Sequence, residues 1–365
     1  MNTREFTELL KGCRPIKDND GNIVVQSILN MQIVCLTTDR EYSLDDRFAN
    51  PLTSLVAGNQ NYGEVSFNNQ TNKEVIIPTQ MAIMTKQSAQ NHGMTKGGYI
   101  GSNKSTTYHD AGCVQGSQGG HFRGTQEFRM LPVTIREMAF DAINDDGYSR
   151  IYPAIRKLGQ QTQSNTGEYL DKYFNKYDSK LEQFIAHFER PKNLIGVIVF
   201  IDGEIIAIDK FPSFTYAEQV WDMMIRDCYG ALAIVSELEN KTANNIFSQT
   251  FEEIKKRERQ LEIVDLIETA LKKTKEKITS SVQEKIKEIL ELTFDAEKDN
   301  EGHTSGINSP NSYILKNEGY VGQVITESEF NHLVSIVKKE SFDPNALRIV
   351  NELRNKARTQ NRFNI

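Results

Sequence analysis

The sequence predicts an α+β protein: a mixed, mainly antiparallel β body with flanking helices and a helical-hairpin insertion. Three observations carry this reading. Short β-branched runs, separated by Asn- and Gly-rich turns, occupy the chain from Gly21 to about Phe140. An Asp202-Gly203 pair sits between two apolar runs, which signals a hairpin because a primed turn needs positive φ. Between Gly230 and Gly302 there is neither glycine nor proline, and Phe251 to Leu292 is roughly half charged.

In chain order, Ile23-Val24-Val25 and Gln32 to Leu36 are the first strand-like runs, and Glu64-Val65-Ser66-Phe67 alternates as a half-buried strand does. Val75-Ile76-Ile77-Pro78 leads into Met81 to Met84, and Phe128 to Val133 is a further run. The stretch from Gln87 to Gly124 is rich in Gly, Ser, Thr, Asn and Gln, and is expected to line a surface, loop or site rather than build core. From Gly167 to Arg190 apolar residues recur at three- and four-residue steps, a helix that Pro191 stops. Leu194 to Ile201 is apolar without alternation, as a strand buried on both faces is, and Glu204 to Asp209 forms the second arm of its hairpin. A helix carrying Tyr216, Val220, Trp221, Met224, Ile225, Cys228 and Leu232 follows.

The charged segment has a narrow apolar seam from Ile254 to Ile289. Ser281 to Glu284 fits a capping box, so two helices with a break near Thr279-Ser280 are expected. Strand character returns at Tyr313 and at Gly322, and a helix from Ala346 to about Ala357 precedes a basic tail. The expected division is a β-rich body over 1–240 and 303–340, an insertion over 241–302, and a C-terminal helix and tail over 341–365.

The chain has 365 residues, 38% hydrophobic and 25% charged, which is ordinary globular composition. A net charge of -6 argues against nonspecific nucleic-acid binding, so nucleic acid is not expected as a partner. No apolar stretch reaches membrane-spanning length and the N-terminus lacks a signal-like run, so a cytoplasmic protein without membrane contact is expected. Its four cysteines show no paired spacing and read as reduced thiols.

Candidate chemistry concentrates in the polar stretch. Gly97 to Ser102 and Gly116 to Gly120 present backbone N–H groups that suit phosphate, though neither has Walker or Rossmann spacing. His92, His109, Cys113 and His121 are soft ligands in irregular spacing, and no metal site is expected from them. Cys113 with His109 or His121 is a chemically allowed nucleophile and base. Thr85, Gln87, Gln90, Asn91 and Gln115 form an uncharged polar set suited to recognising a nucleobase, ribose or sugar. Asp209 reads as a solvated strand-end carboxylate.

Two stretches together carry a resemblance. They are Gln87 to Asn91 through Asp110-Ala111-Gly112-Cys113-Val114-Gln115-Gly116, and Ile195 to Phe211 with Trp221 ten residues on. In this order they resemble the ARG-and-rhodanese-phosphatase-associated protein domain family, a bacterial and phage group, over roughly Ile23 to Ala233. Gly319 to Val324, continuing to His332, looks like that family's closing strands, displaced by the insertion. The resemblance implies genomic company with ADP-ribose and phosphate-handling enzymes, hence a nucleotide-derived ligand. Where the family pattern has an acidic residue and an arginine after Cys-Val, this chain has Gln115 and Gln118, which weakens any acid–base role or anion clamp there.

The leading functional expectation is a binding or sensor module for a small nucleotide-like ligand related to NAD or ADP-ribose. Thr85, Gln87, Gln90, Asn91, Cys113, Gln115, Gln118 and His121 would converge on its concave surface, with no cofactor and no assigned catalytic residue. The alternatives are an assembly protein, a homo-oligomer formed through the insertion, and a hydrolase using Cys113 or a metal.

Overall fold

The run Gly196–Ile201 has no polar side chain, and in the computed structural model of the chain it is buried along its whole length. The residues described are 2–28, 31–39, 47–58, 61, 63–85, 91–116, 122, 125–141, 143, 149–201, 203–238, 252–254, 256, 263–306 and 309–339. Strands and helices are numbered in chain order.

Ten strands form one antiparallel sheet. From edge to edge run β1 (Asn2–Glu5), β16 (Thr293–Lys298), β17 (Asn311–Lys316), β18 (Tyr320–Glu327), β19 (Phe330–Lys338), β15 (Glu204–Lys210), β14 (Gly196–Ile201), β4 (Met31–Thr38) and β2 (Cys13–Pro15), with β3 (Val25–Ile28) also on β4. β14 therefore lies inside the sheet, and its alternating side chains enter two cores. Val197, Val199 and Ile201 face the larger one, while Ile198 and Phe200 face a smaller one beneath α1 (Phe6–Leu9) and the long helix α7 (Ile263–Leu290). Continuous apolar character is what a strand covered on both faces requires. The hairpin turn is present, with Gly203 at φ 81°, while Asp202 lies outside the described residues.

A second β layer shares the larger core. It comprises β5 (Leu55–Gly58), β6 (Val65–Asn69) and β11 (Ser105–Tyr108); β7 (Val75–Ile77) with β10 (Gly98–Ile100); and β8 (Met81–Thr85), β9 (His92–Gly93), β12 (Gly112–Cys113) and β13 (Gln126–Met130). Helices α2 (Val133–Asp141), α3 (Tyr152–Gln161), α4 (Leu170–His187), α5 (Phe214–Met223) and α6 (Gly230–Leu238) add to it, α5 and α6 being joined by a π-helical turn over Met224–Tyr229. The class is α+β with mainly antiparallel sheets, as the sequence predicts.

Several expectations are corrected. The polar stretch does build core: Met94, Tyr99, Ile100, Tyr108, Ala111, Cys113 and Val114 are all buried. Its glycines permit close approach instead of flexibility. A Cβ on Gly97 would lie 2.6 Å from the Ile77 carbonyl oxygen, and one on Gly112 would lie 2.9 Å from Ile151 Cγ1. The helix over Ile263–Leu290 passes through Thr279-Ser280 unbroken. A fold-back nonetheless exists, because Lys277 Nζ reaches Glu253 at 3.0 Å. In one straight helix residues so spaced would stand about 36 Å apart, so Glu253 is not on a straight extension of the Ile263–Leu290 helix. Strand character resumes at Thr293, inside the 241–302 segment read as a charged helical insertion and before the return expected at Tyr313. Ile254 is buried within the chain, whereas Leu261, the Val264 side chain and the helix expected after Ala346 fall outside the described residues.

Asp209 is not solvated. It is buried on β15 and paired with Arg136 of α2, 3.0 and 3.2 Å from the two terminal guanidinium nitrogens. Arg136→Met should cost about 3–5 kcal/mol in urea denaturation at unchanged m, because it strands the Asp209 carboxylate in the core. A loss under ~1 kcal/mol would show that Asp209 finds other donors.

Candidate functional site

Between β9 and β10 the chain carries Lys96, whose side chain is 1% exposed. Burial of an ammonium needs compensation, and three carboxylates supply it. Lys96 Nζ lies 2.6 Å from Asp299, 2.8 Å from Glu301 and 3.1 Å from Asp110. Burial alone would depress the lysine, but the facing carboxylates outweigh it and hold the ammonium above its ordinary range.

The three partners come from two places in the chain. Asp110 follows β11, while Asp299 and Glu301 follow β16. Lys96 itself is placed through the adjoining Gly97 peptide. The buried Gln323 amide of β18 accepts from Gly97 N–H at 2.7 Å and donates to Gly97 C=O at 3.2 Å, bonding it as a strand neighbour would. Asp299 also accepts from Glu301 N–H at 3.0 Å, and Glu301 from His109 N–H at 2.9 Å.

Three carboxylates against one ammonium leave two excess negative charges. Burial raises the Asp110 carboxyl, with Glu301 adding to the rise and Lys96 opposing it. Among the described residues, the buried Tyr108 hydroxyl near Asp110 has no hydrogen-bond partner.

Lys96, Asp299 and Glu301 open into a cleft of about 260 Å³, bounded also by Ile143, Glu297, Lys298, Ile314 and Lys316. Asp299 and Glu301 are 19% and 33% exposed, so both are reachable from solvent. Among the described residues, Glu297, Lys298 and Lys316 form no side-chain ion pair, which leaves two lysines and one carboxylate uncommitted at the rim. Also among the described residues, no three His, Cys, Asp or Glu side chains are arranged to hold a metal ion.

The predicted recognition residues assemble in part, but on one another. Thr85 donates to Asn91 Oδ1 from its N–H at 2.7 Å and from its hydroxyl at 3.1 Å. Asn91 N–H reaches Gln115 Oε1 at 3.4 Å, and the Gln115 carbonyl accepts from the Tyr152 hydroxyl at 2.9 Å. Cys113 Sγ lies 3.7 Å from His92 Nε2 across the β9–β12 pair, both side chains fully buried. Gln87, Gln90, Gln118 and His121 fall outside the described residues. His92 and His109 do not converge, since His109 lies at the surface with its Nδ1 2.8 Å from Glu64 while His92 is buried.

The phosphate expectation for Gly97 to Ser102 is overturned for the N–H groups of Gly97 and Gly101, which donate to Gln323 and Thr304. Burial pushes the Cys113 thiol up to about 12, so its thiolate is scarce at neutral pH. Sequence reading missed Lys96, Asp299 and Glu301. The available signal was acidic Asp299 and Glu301 beside His303, at the end of the segment read as a charged helical insertion.

One family model matches the chain. The model of the ARG and Rhodanese-Phosphatase-superfamily-associated Protein domain covers residues 24–307, more than three quarters of the 365 residues and including the helical segment. No curated protein and no solved structure matches.

At pH 8 a maleimide reagent is expected to label half-exposed Cys13 and to leave Cys35, Cys113 and Cys228 unmodified until urea is added. Rapid native labelling of Cys113, read by peptide mass spectrometry, would contradict its burial. Burial also holds the His303 and His332 imidazoles down to about 4, against an ordinary 6.5. Between those values the unfolded chain binds more protons than the folded one, so stability falls on acidification through that window. The slope is at most about 1.4 kcal/mol per pH unit for each histidine. Urea titrations at pH 7 and pH 5 should show this slope, and His303→Gln with His332→Gln should flatten it. An unchanged slope in the double variant would place the titrating groups elsewhere.

Proposed function

The chain belongs to the ARG and Rhodanese-Phosphatase-superfamily-associated Protein domain family, and we propose that it is a binding module for a small nucleotide-like ligand. The ligand, related to NAD or ADP-ribose, is held by a ribosyl phosphate end in the Lys96 cleft. One observation carries this reading: the Asp299 and Glu301 carboxylates and the uncommitted Lys298 and Lys316 line one cleft. Carboxylates accept hydrogen bonds from vicinal ribose hydroxyls, the use that dinucleotide sites make of an acidic residue. Asp299 and Glu301 can take this part while Lys96 keeps them in place. Lys298 and Lys316 supply the positive charge that a phosphate requires. At about 260 Å³ the cleft is smaller than the roughly 300–1,000 Å³ of drug-sized sites, and suits one end of a dinucleotide.

The geometry favours recognition over hydrolysis. Lys96 neutralises part of the acidic cluster and is itself held charged, so it is a poor general base. Cys113 stands on another strand pair, in contact with His92.

Calorimetric titration with ADP-ribose, NAD and ribose 5-phosphate tests the reading. ADP-ribose should bind, and Lys316→Glu should weaken it at least tenfold, about 1.4 kcal/mol. Asp299→Asn should weaken ribose 5-phosphate similarly. Absence of binding at millimolar ligand, or both variants binding as the parent does, would exclude this cleft as the site.

A further inference from the structure

A second concavity lies where α3 turns back toward α4. It measures about 370 Å³, and Arg156, Gln160, Gln163 and Asn165 project around it. We propose that it is a separate site for an uncharged nucleobase-type ligand, a flat ring carrying a hydrogen-bond donor and acceptor on one edge.

The turn that forms the groove is rigid. Thr166 donates to the Ile155 carbonyl at 3.0 Å, Thr162 to the Leu158 carbonyl at 2.6 Å, and Ser164 N–H to the Gly159 carbonyl at 3.0 Å. The Tyr177 hydroxyl donates to the Thr162 carbonyl, and Lys176 Nζ donates to the Gln163 carbonyl at 2.6 Å. Gly159 must lack a side chain, because its Cβ would collide with Thr166 Oγ1. This scaffold holds two L-residues in the left-handed region, Gln163 at φ 52° and Asn165 at φ 50°. Strained backbone of this kind persists where surrounding structure imposes it, and it aims side chains.

The side chains so aimed have no structural duty. Among the described residues, the amides of Gln160, Gln163 and Asn165 have no hydrogen-bond partner, since hydroxyls and Lys176 already satisfy the turn. A primary amide offers a carbonyl and an NH₂ side by side, which matches the paired acceptor and donor on a base edge. Charge argues against an anion, because Arg156, the charged residue of the lining, is already paired with Glu168. Amides held on a fixed turn lose little freedom on binding.

The test uses adenine, which has neither ribose nor phosphate and therefore does not depend on the Lys96 cleft. Ligand-observed NMR and calorimetry on the full chain should detect adenine binding. Gln163→Gly with Asn165→Gly, which keeps the left-handed backbone accessible, should weaken it at least tenfold with far-UV circular dichroism unchanged. Lys316→Glu should leave it within twofold. No adenine binding at millimolar concentration would overturn the proposal, as would parent-like binding by the amide variant. Equal loss in the Lys316→Glu chain would overturn it too, by assigning adenine to the cleft.

Discussion

Arg136 carries its charge where no water can reach it, and the fold is arranged around that fact. Each of its five N–H donors has an acceptor: Gln80 Oε1 at 2.9 Å, Asp209 at 3.0 and 3.2 Å, Cys228 Sγ at 3.2 Å, and the Ser335 hydroxyl. Asp209 is held in turn by the Tyr229 hydroxyl at 2.5 Å and Ser335 at 2.6 Å. These residues come from α2, β15, β19, the π-helical turn and the turn before β8. Such a network adds little net stability over an apolar core, because desolvation offsets attraction. Its effect is specificity. Any packing that separates one of these elements leaves a buried charge or polar group unmatched, so competing arrangements are penalised.

The same requirement extends outward to the cleft. Gln80 donates to the Arg136 carbonyl at 2.7 Å and to the Thr95 carbonyl at 3.2 Å, and Thr95 precedes Lys96. Gln323 then fixes Gly97 from the other side. The backbone on either side of Lys96 is thus bonded to buried amides before its side chain meets a carboxylate. A lysine delivered this way can organise Asp110, Asp299 and Glu301 without being free to move with a ligand.

Much of the sheet was legible because alternation and burial leave direct traces. The runs at 194–201 and 204–209, with Gly203 between them, became β14 and β15, and the periodic run from Leu170 became α4. What was not legible depended on distant partners. Gly97 and Gly112 look like loop residues until Ile77 and Ile151 are seen pressed against them. Asp209 looked solvated, although its position in Ile205-Ile206-Ala207-Ile208-Asp209 hinted at a buried charge needing a mate. Nothing local pointed to Arg136, seventy-three residues away. Thr293–Lys298 was placed within the charged helical insertion over 241–302, yet Phe294 and Ala296 alternate inward as a strand requires. Thr85, Asn91 and Gln115 come together, but as side chains that satisfy one another. Composition cannot distinguish amides that recognise a ligand from amides that close a core.

That strand also joins the insertion to the cleft. Only Glu291 and Leu292 separate α7 from β16. Phe294 and Ala296 face the smaller core with Val282, Ile286 and Ile289 of α7, while Glu297 on the alternate position borders the cleft. Strand geometry places successive side chains on opposite faces, so one short strand is both the seat of the helix and a wall of the site. Lys285 adds a surface tie, 3.6 Å from Glu204 of β15. The family match extends through this helical segment, consistent with the helix being part of the fold rather than an ornament on it. A strand held from beneath by packed aliphatic side chains and from above by Lys96 has little room to shift. Pre-positioned carboxylates follow from that constraint, and a site meant to recognise rather than to move benefits from it.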